Sequence, residues 1–217
     1  MSGSSPLIDT EKLKGRKVAV VGVGGLGCTA SMLLARQGVD LLLIDGDIVE
    51  ENNLERQILF IHDDVGRPKV DAAADKISGF SDIRKIFETL TEKNIDMLSG
   101  ADIVLDCTDN METRLIIDNF CSEMRIPWIY SAAVKEIGAL YFIDPSDAKR
   151  ARFKDFNEGK EGESTCEVGV MNTTVSIIGA MSAKLVVDFL VRGQYPDKFV
   201  RVDLSGMDIT RLGVDKR

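Results

Sequence analysis

A glycine-rich turn between a short apolar run and a helix constrains this chain more than any other feature. The segment Arg16–Gly27 reads RKVAVVGVGGLG, and its apolar part, Lys17–Val21, predicts a buried β-strand. The residues after the turn, Cys28–Gln37, have the apolar spacing of a helix. Backbone N–H groups in such a turn can surround an anion, and the helix N-terminus adds positive potential. The sequence therefore predicts a nucleotide phosphate site at Gly22, Gly24, Gly25 and Gly27.

Apolar strands alternate with helical segments through the first two thirds of the chain. The predicted strands are Lys17–Val21, Asp40–Ile44, Ile83–Leu90, Ala101–Cys107 and Pro127–Ser131. The helices predicted after the first one are Pro68–Ile77 and Asn110–Arg125, and Ile95–Leu98 predicts a short helical turn. This alternation predicts an α/β fold with a doubly wound, Rossmann-like, mostly parallel sheet.

The C-terminal third departs from this alternation. Gly138–Ile143 follows the fifth strand without a helix between them, so we expect it to run antiparallel. Lys198–Leu204 and Met207–Leu212 predict a terminal hairpin, which gives the sheet antiparallel C-terminal strands. Residues 144–165 are charged and without periodicity, which is typical of a lid or crossover loop. Residues 168–192 predict one long helix whose apolar stripe serves core or dimer packing.

This organisation predicts a single domain. Residues 1–15 are expected to form a flexible N-terminus with a short lead-in helix, and residues 16–217 one nucleotide-binding domain. The net charge of −8 argues against nucleic acid as a partner. No apolar run reaches the ~18 residues of a membrane span, and no signal peptide is evident, so we expect a cytoplasmic protein without a membrane partner.

The cysteines are scattered and give no metal-ligand spacing. Cys28, Cys107 and Cys121 lie in apolar patterns and are expected in the core, whereas Cys166 lies in a polar stretch. No Cys-x-x-Cys pair occurs, and His62 is the single histidine. We therefore expect no structural zinc.

Polar residues after the second strand indicate which nucleotide is bound. Asp45 ends that strand, at the position where an acid hydrogen-bonds ribose hydroxyls in dinucleotide-binding folds. The glycine turn and Asp45 alone would fit an NAD-dependent oxidoreductase as well as an ATP-binding protein. Two amides and two cations follow, Asn53, Arg56, Gln57 and Lys69. Because Arg and Lys bind phosphate oxygens, this set favours a longer and more highly charged phosphate chain than that of NAD.

The fourth strand ends in the sequence DCTDN at the same predicted edge of the sheet. Asp106 and Asp109 are then placed at the edge where open α/β sheets bind ligands. A carboxylate facing phosphates is favourable when Mg²⁺ lies between them, since Mg²⁺ is held by one or two carboxylates and phosphate oxygens. The alternative is that Asp109 and Asn110 cap the next helix. Taken together, these residues favour ATP with Mg²⁺ over NAD.

Five ordered motifs now give a specific resemblance. From about Leu13 to Arg192 the chain contains VGVGGLG, LIDGDIVEENNLERQ, GRPKVDAA, DCTDN and TCEVGVMNTTVSIIGAMSA, and it resembles the ThiF/MoeB/HesA family, relatives of ubiquitin-activating enzymes. The resemblance implies ATP- and Mg²⁺-dependent adenylation of a carboxylate with release of pyrophosphate. It implies phosphate binding by the four glycines, ribose binding by Asp45, and a metal ligand in Asp109. The remaining implied nucleotide contacts are Asp47, Asn53, Arg56, Gln57 and Lys69, with Arg56 and Lys69 stabilising the leaving pyrophosphate.

The chain also departs from the family pattern. Many members carry paired zinc cysteines after the strand that matches Gly138–Ile143, and here that region reads IDPSDAKRARF. Many members also carry an N-terminal arginine that reaches the partner subunit's ATP, whereas the arginine nearest the N-terminus here, Arg16, adjoins the first strand. Cys166 lies where some relatives place a cysteine that accepts the acyl group, so it is a tentative acyl acceptor.

The resemblance leaves the activated acid open. One candidate is the C-terminal glycine of a ubiquitin-like sulfur carrier protein, and the other is a small-molecule acid such as guanylylpyridinol, as in the HcgE branch of iron-guanylylpyridinol cofactor biosynthesis. In the second case the basic run Lys149, Arg150, Arg152 and Lys154 would meet a phosphate-bearing substrate. The family also implies a homodimer and a downstream acyl-acceptor protein. An NAD-dependent oxidoreductase and a non-catalytic nucleotide-binding partner protein remain the alternatives.

Overall fold

An eight-stranded mixed sheet organises the computed structural model, which describes residues 8–147, 151–157 and 169–214. The strands are β1 (Lys17–Val21), β2 (Asp40–Ile44), β3 (Ile83–Ile86), β4 (Ile103–Asp106), β5 (Trp128–Val134), β6 (Ile137–Ile143), β7 (Phe199–Asp203) and β8 (Asp208–Leu212). The α-helices among the described residues are α1 (Gly25–Arg36), α2 (Lys69–Ile77), α3 (Met111–Met124), α4 (Phe153–Asn157) and α5 (Asn172–Arg192).

The order of the strands confirms the predicted fold class. Across the sheet they lie in the order β3-β2-β1-β4-β5-β6-β7-β8. The first five pair in parallel, and β5–β6, β6–β7 and β7–β8 pair antiparallel. The chain order reverses between β1 and β4, which is the switch point where open α/β sheets form a ligand crevice.

Both faces of the central strands β1 and β4 are buried, as a doubly wound fold requires. Successive β1 residues alternate between two apolar clusters, Val18 and Val20 in one and Ala19 and Val21 in the other. The first cluster includes residues of α1, α2 and α5, and the second includes residues of α3. The sheet therefore lies between two helical layers and holds the ends of β1, β2 and β4 at one edge.

Several predicted boundaries are corrected by the structure. β3 ends at Ile86 and not at Leu90, because residues 87–90 leave the ladder and pass beside Gly46. α5 begins at Asn172 and not at 168, since Val170 forms a bridge with Lys135 instead of joining the helix. The lead-in helix is a 3-10 helix, Thr10–Leu13, and its Leu13 is fully buried.

α5 is long and apolar, and it is a core helix. Its 21 residues, with a mean hydropathy of 1.8 in the best window, meet the length and composition of a membrane span. This differs from the expectation that no apolar stretch is long enough. Half of that window is buried, and residues such as Ile178 and Val186 belong to the cluster that joins α1 to the sheet. The predicted apolar stripe therefore serves core packing.

The predicted structureless loop contains an anchored segment. Phe153 is fully buried, and its ring lies 5.7 Å from that of Trp128 and 5.2 Å from that of Tyr130. The hydroxyl of Tyr141 donates a hydrogen bond to the carbonyl of Ala151 at 3.2 Å. Residues 151–157 are thus held on the sheet by contacts distant in sequence, which is why periodicity gave no sign of them. Residues 148–150 and 158–165 of this loop lie outside the described residues.

We expect Phe153→Ala to destabilise the protein by about 3–5 kcal/mol, because it removes a fully buried ring and leaves a cavity beside Trp128. Urea unfolding followed by circular dichroism measures the change. The matched control is Phe87→Ala, whose ring is 48% exposed and which should change stability little. Equal losses in the two variants would contradict an anchoring role for Phe153.

Candidate nucleotide-binding site

A crevice of about 770 Å³ opens at the carboxyl edge of the parallel strands. It lies over the switch point between β1 and β4 and is also lined by the segment after β2. Of the residues predicted for the site, those that line it are Gly22, Gly24, Gly25, Asp45, Asp47, Asn53, Arg56, Gln57, Lys69 and Asp109. Gly27 does not line it, and Cys166 lies outside the described residues.

The glycine turn needs its glycines for two different reasons. Gly22 has φ +89°, and a Cβ there would lie 2.8 Å from the carbonyl oxygen of Cys107. A Cβ at Gly27 would overlap the carbonyl oxygen of Gly22, so Gly27 lets the first turn of α1 pack under the loop. At Gly24 a Cβ would meet only the Gln57 amide at 3.8 Å. A side chain at Gly22 or Gly27 would therefore clash with the backbone, whereas the absence of a side chain at Gly24 leaves its backbone accessible to a ligand in the crevice.

Asp45 ties the glycine turn to the segment after β2. Its Oδ2 accepts a hydrogen bond from the Val23 N–H at 2.6 Å, and its Oδ1 accepts one from the Asp47 N–H at 2.8 Å. Burial raises the pKa of this carboxyl, while the charge of Lys69 and the two backbone N–H donors act in the opposite direction. Asp45 therefore shapes the turn in addition to its predicted ribose contact.

The two predicted cations of the crevice are held by nearby acids and carbonyls. Lys69, the first residue of α2, is 6% exposed, and its Nζ lies 2.7 Å from Oδ2 of Asp47, whose side chain is 71% exposed. The Nη1 of Arg56 donates to the carbonyl of Asn52 at 2.9 Å and to Oε1 of Glu55 at 3.0 Å. Ion pairs with exposed acids such as Asp47 and Glu55 are weak, so a bound phosphate can replace these acids as the partner of Lys69 and Arg56.

Two buried amides complete this side of the crevice. The Oδ1 of Asn53 accepts from the Glu50 N–H at 3.2 Å and closes the 3-10 turn that presents Arg56. Gln57 is only 4% exposed, and its Oε1 is buried without a hydrogen-bond partner among the described residues. The Nε2 of the same side chain lies 3.8 Å from the position of a Cβ at Gly24, so Gln57 packs beside the glycine turn.

The two acids of the DCTDN turn, Asp106 and Asp109, lie in different environments. Asp109 is exposed and lines the crevice, which places it where a metal ligand is predicted. Asp106 is fully buried and accepts hydrogen bonds from Arg114 and Thr108, so it is not available to a metal. The cap of α3 is Asn110, whose side chain accepts from the Thr113 N–H at 2.8 Å. The helix therefore takes its cap from Asn110.

Arg114 lines the crevice and was not predicted as a site residue. It lies on the buried face of α3 with Ile117 and Cys121, and its side chain is 8% exposed. The sequence does contain a sign of this position, because the helical spacing places the charged Arg114 on the same face of α3 as the apolar Ile117 and Cys121. Glu88 and Thr89 were also missed, because β3 was predicted to continue through them.

The described cysteines are buried, as predicted. Burial raises the pKa of Cys28 to about 12 and also raises the pKa values of Cys107 and Cys121. Thiols of this kind are poor nucleophiles at neutral pH. Cys166, the tentative acyl acceptor, lies outside the described residues.

Of the four basic residues predicted near a phosphate-bearing substrate, the two that the structure describes, Arg152 and Lys154, do not line the crevice. The Nη2 of Arg152 lies 3.0 Å from Oδ2 of Asp118, a buried acid on α3, and Arg152 does not line the crevice. Lys149 and Arg150 lie outside the described residues, and Lys154 is exposed on α4. Arg16 pairs with Asp102 at 2.9 Å, at the sheet edge opposite the crevice.

Another buried acid, Asp64, lies in the segment between Arg56 and Lys69, the two cations of the crevice. It accepts hydrogen bonds from the Ile61 N–H and from Arg67, and it pairs with Lys76 of α2. Burial acts to raise the pKa of Asp64, but the hydrogen bond and charge of Lys76 together with Ile61 and Arg67 outweigh it and hold the pKa below its usual range.

We expect this acid to give the protein a pH-dependent part of its stability. Because the folded-state pKa of Asp64 lies below the unfolded value of about 4, its contribution is present above pH ~4 and is lost as the pH falls through the folded pKa. Asp64→Asn should cost about 1–3 kcal/mol at pH 7 and much less at lower pH, measured by urea unfolding. The exposed neighbour Asp63 provides the control, Asp63→Asn. A cost that is independent of pH would contradict this role.

Comparisons with known proteins assign the chain to a class. The model of the ThiF family matches residues 5–217. The molybdopterin-synthase adenylyltransferase of Haemophilus influenzae is 36% identical over 182 residues, which cover 80% of this chain and 74% of that protein. The SAMP-activating enzyme E1 of Haloferax volcanii is 33% identical over 187 residues, covering 82% and 69%.

Solved structures share the fold. Escherichia coli MccB, crystallised with ATP, superposes with a TM-score of 0.82 at 21% identity, over 95% of this chain and 66% of that one. PaaA superposes with a TM-score of 0.80 at 23% identity, over 96% and 67%. The chain thus spans about two thirds of the length of these structures.

The chain belongs to the ThiF family. This confirms the family predicted from the five motifs, and with it the class of enzyme, an ATP-dependent adenylyltransferase of the ThiF/MoeB type.

Proposed function

We propose that this protein adenylates the C-terminal carboxylate of a ubiquitin-like or sulfur carrier protein, using ATP and Mg²⁺ and releasing pyrophosphate. The observation that carries the proposal is the convergence of the glycine turn, Asp45, Arg56, Lys69 and Asp109 on one crevice. The phosphates of a redox dinucleotide carry less charge than a triphosphate, so such a site does not require two cations and a second carboxylate in addition to the ribose acid.

The reaction assigned to this site is a displacement at the α-phosphorus of ATP. A carboxylate oxygen attacks the α-phosphorus, the bond to the oxygen bridging to the β-phosphorus breaks, and pyrophosphate leaves with the electron pair. Negative charge gathers on the leaving group, and the positive charges of Arg56 and Lys69 stabilise it. The open backbone at Gly24 and the N-terminus of α1 at Gly25 would bind the phosphates and orient them.

Mg²⁺ fits the residues present. Asp109 offers one exposed carboxylate to the crevice, and Mg²⁺ is commonly held by one or two carboxylates together with phosphate oxygens. The described residues contain no cluster of three or more His, Cys, Asp or Glu that could hold a metal alone. Asp109 would therefore hold the ion jointly with ATP, and the bound ion would neutralise phosphate charge.

The names of the relatives support a protein substrate. They include adenylyltransferases of molybdopterin synthase and of the sulfur carrier protein ThiS, and an enzyme that activates SAMP. The MccB structures include complexes with MccA. A small acid such as guanylylpyridinol has less support, since Arg152 of the basic run is paired with Asp118.

ATP–pyrophosphate exchange with the full chain tests the proposal. Candidate carrier proteins that end in glycine are compared with the same proteins lacking that residue, and guanylylpyridinol is included as a small acid. We expect exchange only with an intact carrier. If only guanylylpyridinol supports exchange, the substrate is that small acid and not a carrier protein. ATP binding without exchange for any acid would favour a non-catalytic nucleotide-binding protein.

A homodimer is part of the proposal, with a cytoplasmic location. The segment between β2 and α2 carries four exposed apolar side chains, Ile48, Ile58, Ile61 and Val65, each between 41% and 56% exposed, and Ile48 also lines the crevice. Exposed apolar side chains on one segment favour a protein interface there. We expect light scattering to give the mass of a dimer, and Ile58→Asp with Ile61→Asp to give a monomer. The control is Ile209→Asp on β8, which is equally exposed. A wild-type monomer would contradict the dimer.

A further inference from the structure

The buried guanidinium of Arg114 joins three parts of the crevice floor. Its Nε donates to Oδ2 of Asp106 at 3.2 Å, and its Nη2 donates to the carbonyl of Thr108 at 2.5 Å and to that of Ser131 at 3.5 Å. The guanidinium carbon also lies 4.9 Å from the centre of the Tyr130 ring. One side chain of α3 thus connects the end of β4, the DCTDN turn and β5.

Asp106 completes this connection from the strand. Its Oδ1 accepts hydrogen bonds from both the backbone N–H and the Oγ1 of Thr108, at 2.9 and 2.6 Å. Thr108 is therefore held at its N–H and hydroxyl by Asp106 and at its carbonyl by Arg114. These bonds fix the peptide that directly precedes Asp109.

The charges of this pair are almost fully removed from water. The side chain of Arg114 is 8% exposed and that of Asp106 is fully buried. Buried ion pairs of this kind gain little stability over apolar residues, but they fix geometry when all their hydrogen bonds are made. Only a planar group with several N–H donors reaches an acid and two carbonyls at once, and lysine does not replace it.

We propose that Arg114 is a positioning residue, which through Asp106 and Thr108 sets the place of Asp109 for the metal–nucleotide complex. This inference rests on the proposed function, because it assumes that Asp109 meets Mg²⁺ bound to ATP. Outer residues that orient a metal ligand commonly change metal affinity by ten- to a hundredfold when altered.

Mn²⁺ binding to the full chain in the presence of ATP tests this inference without knowledge of the acid substrate. Electron paramagnetic resonance measures the free Mn²⁺ with and without protein at the same ATP concentration, because ATP alone also binds Mn²⁺, and calorimetry without metal measures ATP binding. The variant is Arg114→Lys, with Thr108→Val as a milder change that removes one hydroxyl from Asp106. The matched control is Arg152→Lys, which alters an ion pair with another buried acid, Asp118, but lies outside the crevice.

We expect Arg114→Lys to weaken Mn²⁺ binding to the ATP complex about tenfold or more, with ATP binding in the absence of metal changed less than about threefold. Thr108→Val should weaken Mn²⁺ binding in the same direction, and Arg152→Lys should not. Unchanged Mn²⁺ binding in both crevice variants, or equal loss in the Arg152→Lys control, would overturn the inference. If the wild-type chain binds no Mn²⁺ with ATP, the proposed function fails, and the inference fails with it.

Discussion

Lys69→Ala is expected to lower the rate of ATP–pyrophosphate exchange by about 10²–10³, the usual cost of removing one charge that stabilises a leaving group. Lys69 is 6% exposed at the first turn of α2 and lines the crevice. Its ion-pair partner Asp47 is 71% exposed, and the buried carboxyl of Asp45, which the charge of Lys69 also stabilises, keeps its two backbone N–H donors in the variant. The loss should therefore be larger in activity than in stability.

The matched control is Lys85→Ala. Lys85 also pairs with an aspartate, Asp71 at 2.6 Å, but it is half-exposed on β3 and does not line the crevice. Arg56→Ala should resemble Lys69→Ala, since both side chains face the same phosphates in the proposal. Full exchange activity in Lys69→Ala, with the same thermal unfolding as the wild type, would remove Lys69 from the mechanism.

Gly27→Ala is expected to abolish ATP binding and to destabilise the protein by about 1–3 kcal/mol, because the added Cβ overlaps the carbonyl oxygen of Gly22. The turn must open to admit the methyl group, which displaces the backbone that lines the crevice at Gly22, Gly24 and Gly25. Calorimetry with ATP and urea unfolding measure the two effects on one sample.

Gly24→Ala separates the two roles of the turn. A Cβ at this position meets only Gln57 at 3.8 Å, so the fold should keep its stability to within about 0.5 kcal/mol. The methyl group would instead stand where the backbone is open to the crevice, and ATP binding should weaken. Equal stability losses in the two variants would contradict the assignment of Gly27 to packing and Gly24 to the ligand.

Most of the fold follows from local patterns in the sequence. The strand Lys17–Val21 and the glycine turn fix the start of the sheet, and the alternation of strands and helices fixes its parallel half. The antiparallel β6 follows from the absence of a helix before it. These features depend on neighbours in the chain, and for that reason the residues alone predict them.

What the sequence could not predict depends on contacts between distant segments. Phe153 is anchored by Trp128 and Tyr130, and β3 ends early beside Gly46. The residues of the candidate site were predicted because motifs carry them, whereas Arg114 belongs to no phosphate-binding pattern and acts through hydrogen bonds to Asp106 and Thr108. The roles of the site residues stay predictions until a ligand is bound.

A crystal structure of the protein with Mg²⁺ and a non-hydrolysable ATP analogue would show directly whether the crevice binds a triphosphate with its metal ion. We expect the β- and γ-phosphates within hydrogen-bonding distance of the Arg56 guanidinium and the Lys69 ammonium, with the metal ion beside Asp109. Phosphates bound away from both cations, or a metal ion distant from Asp109, would rule out the proposed site.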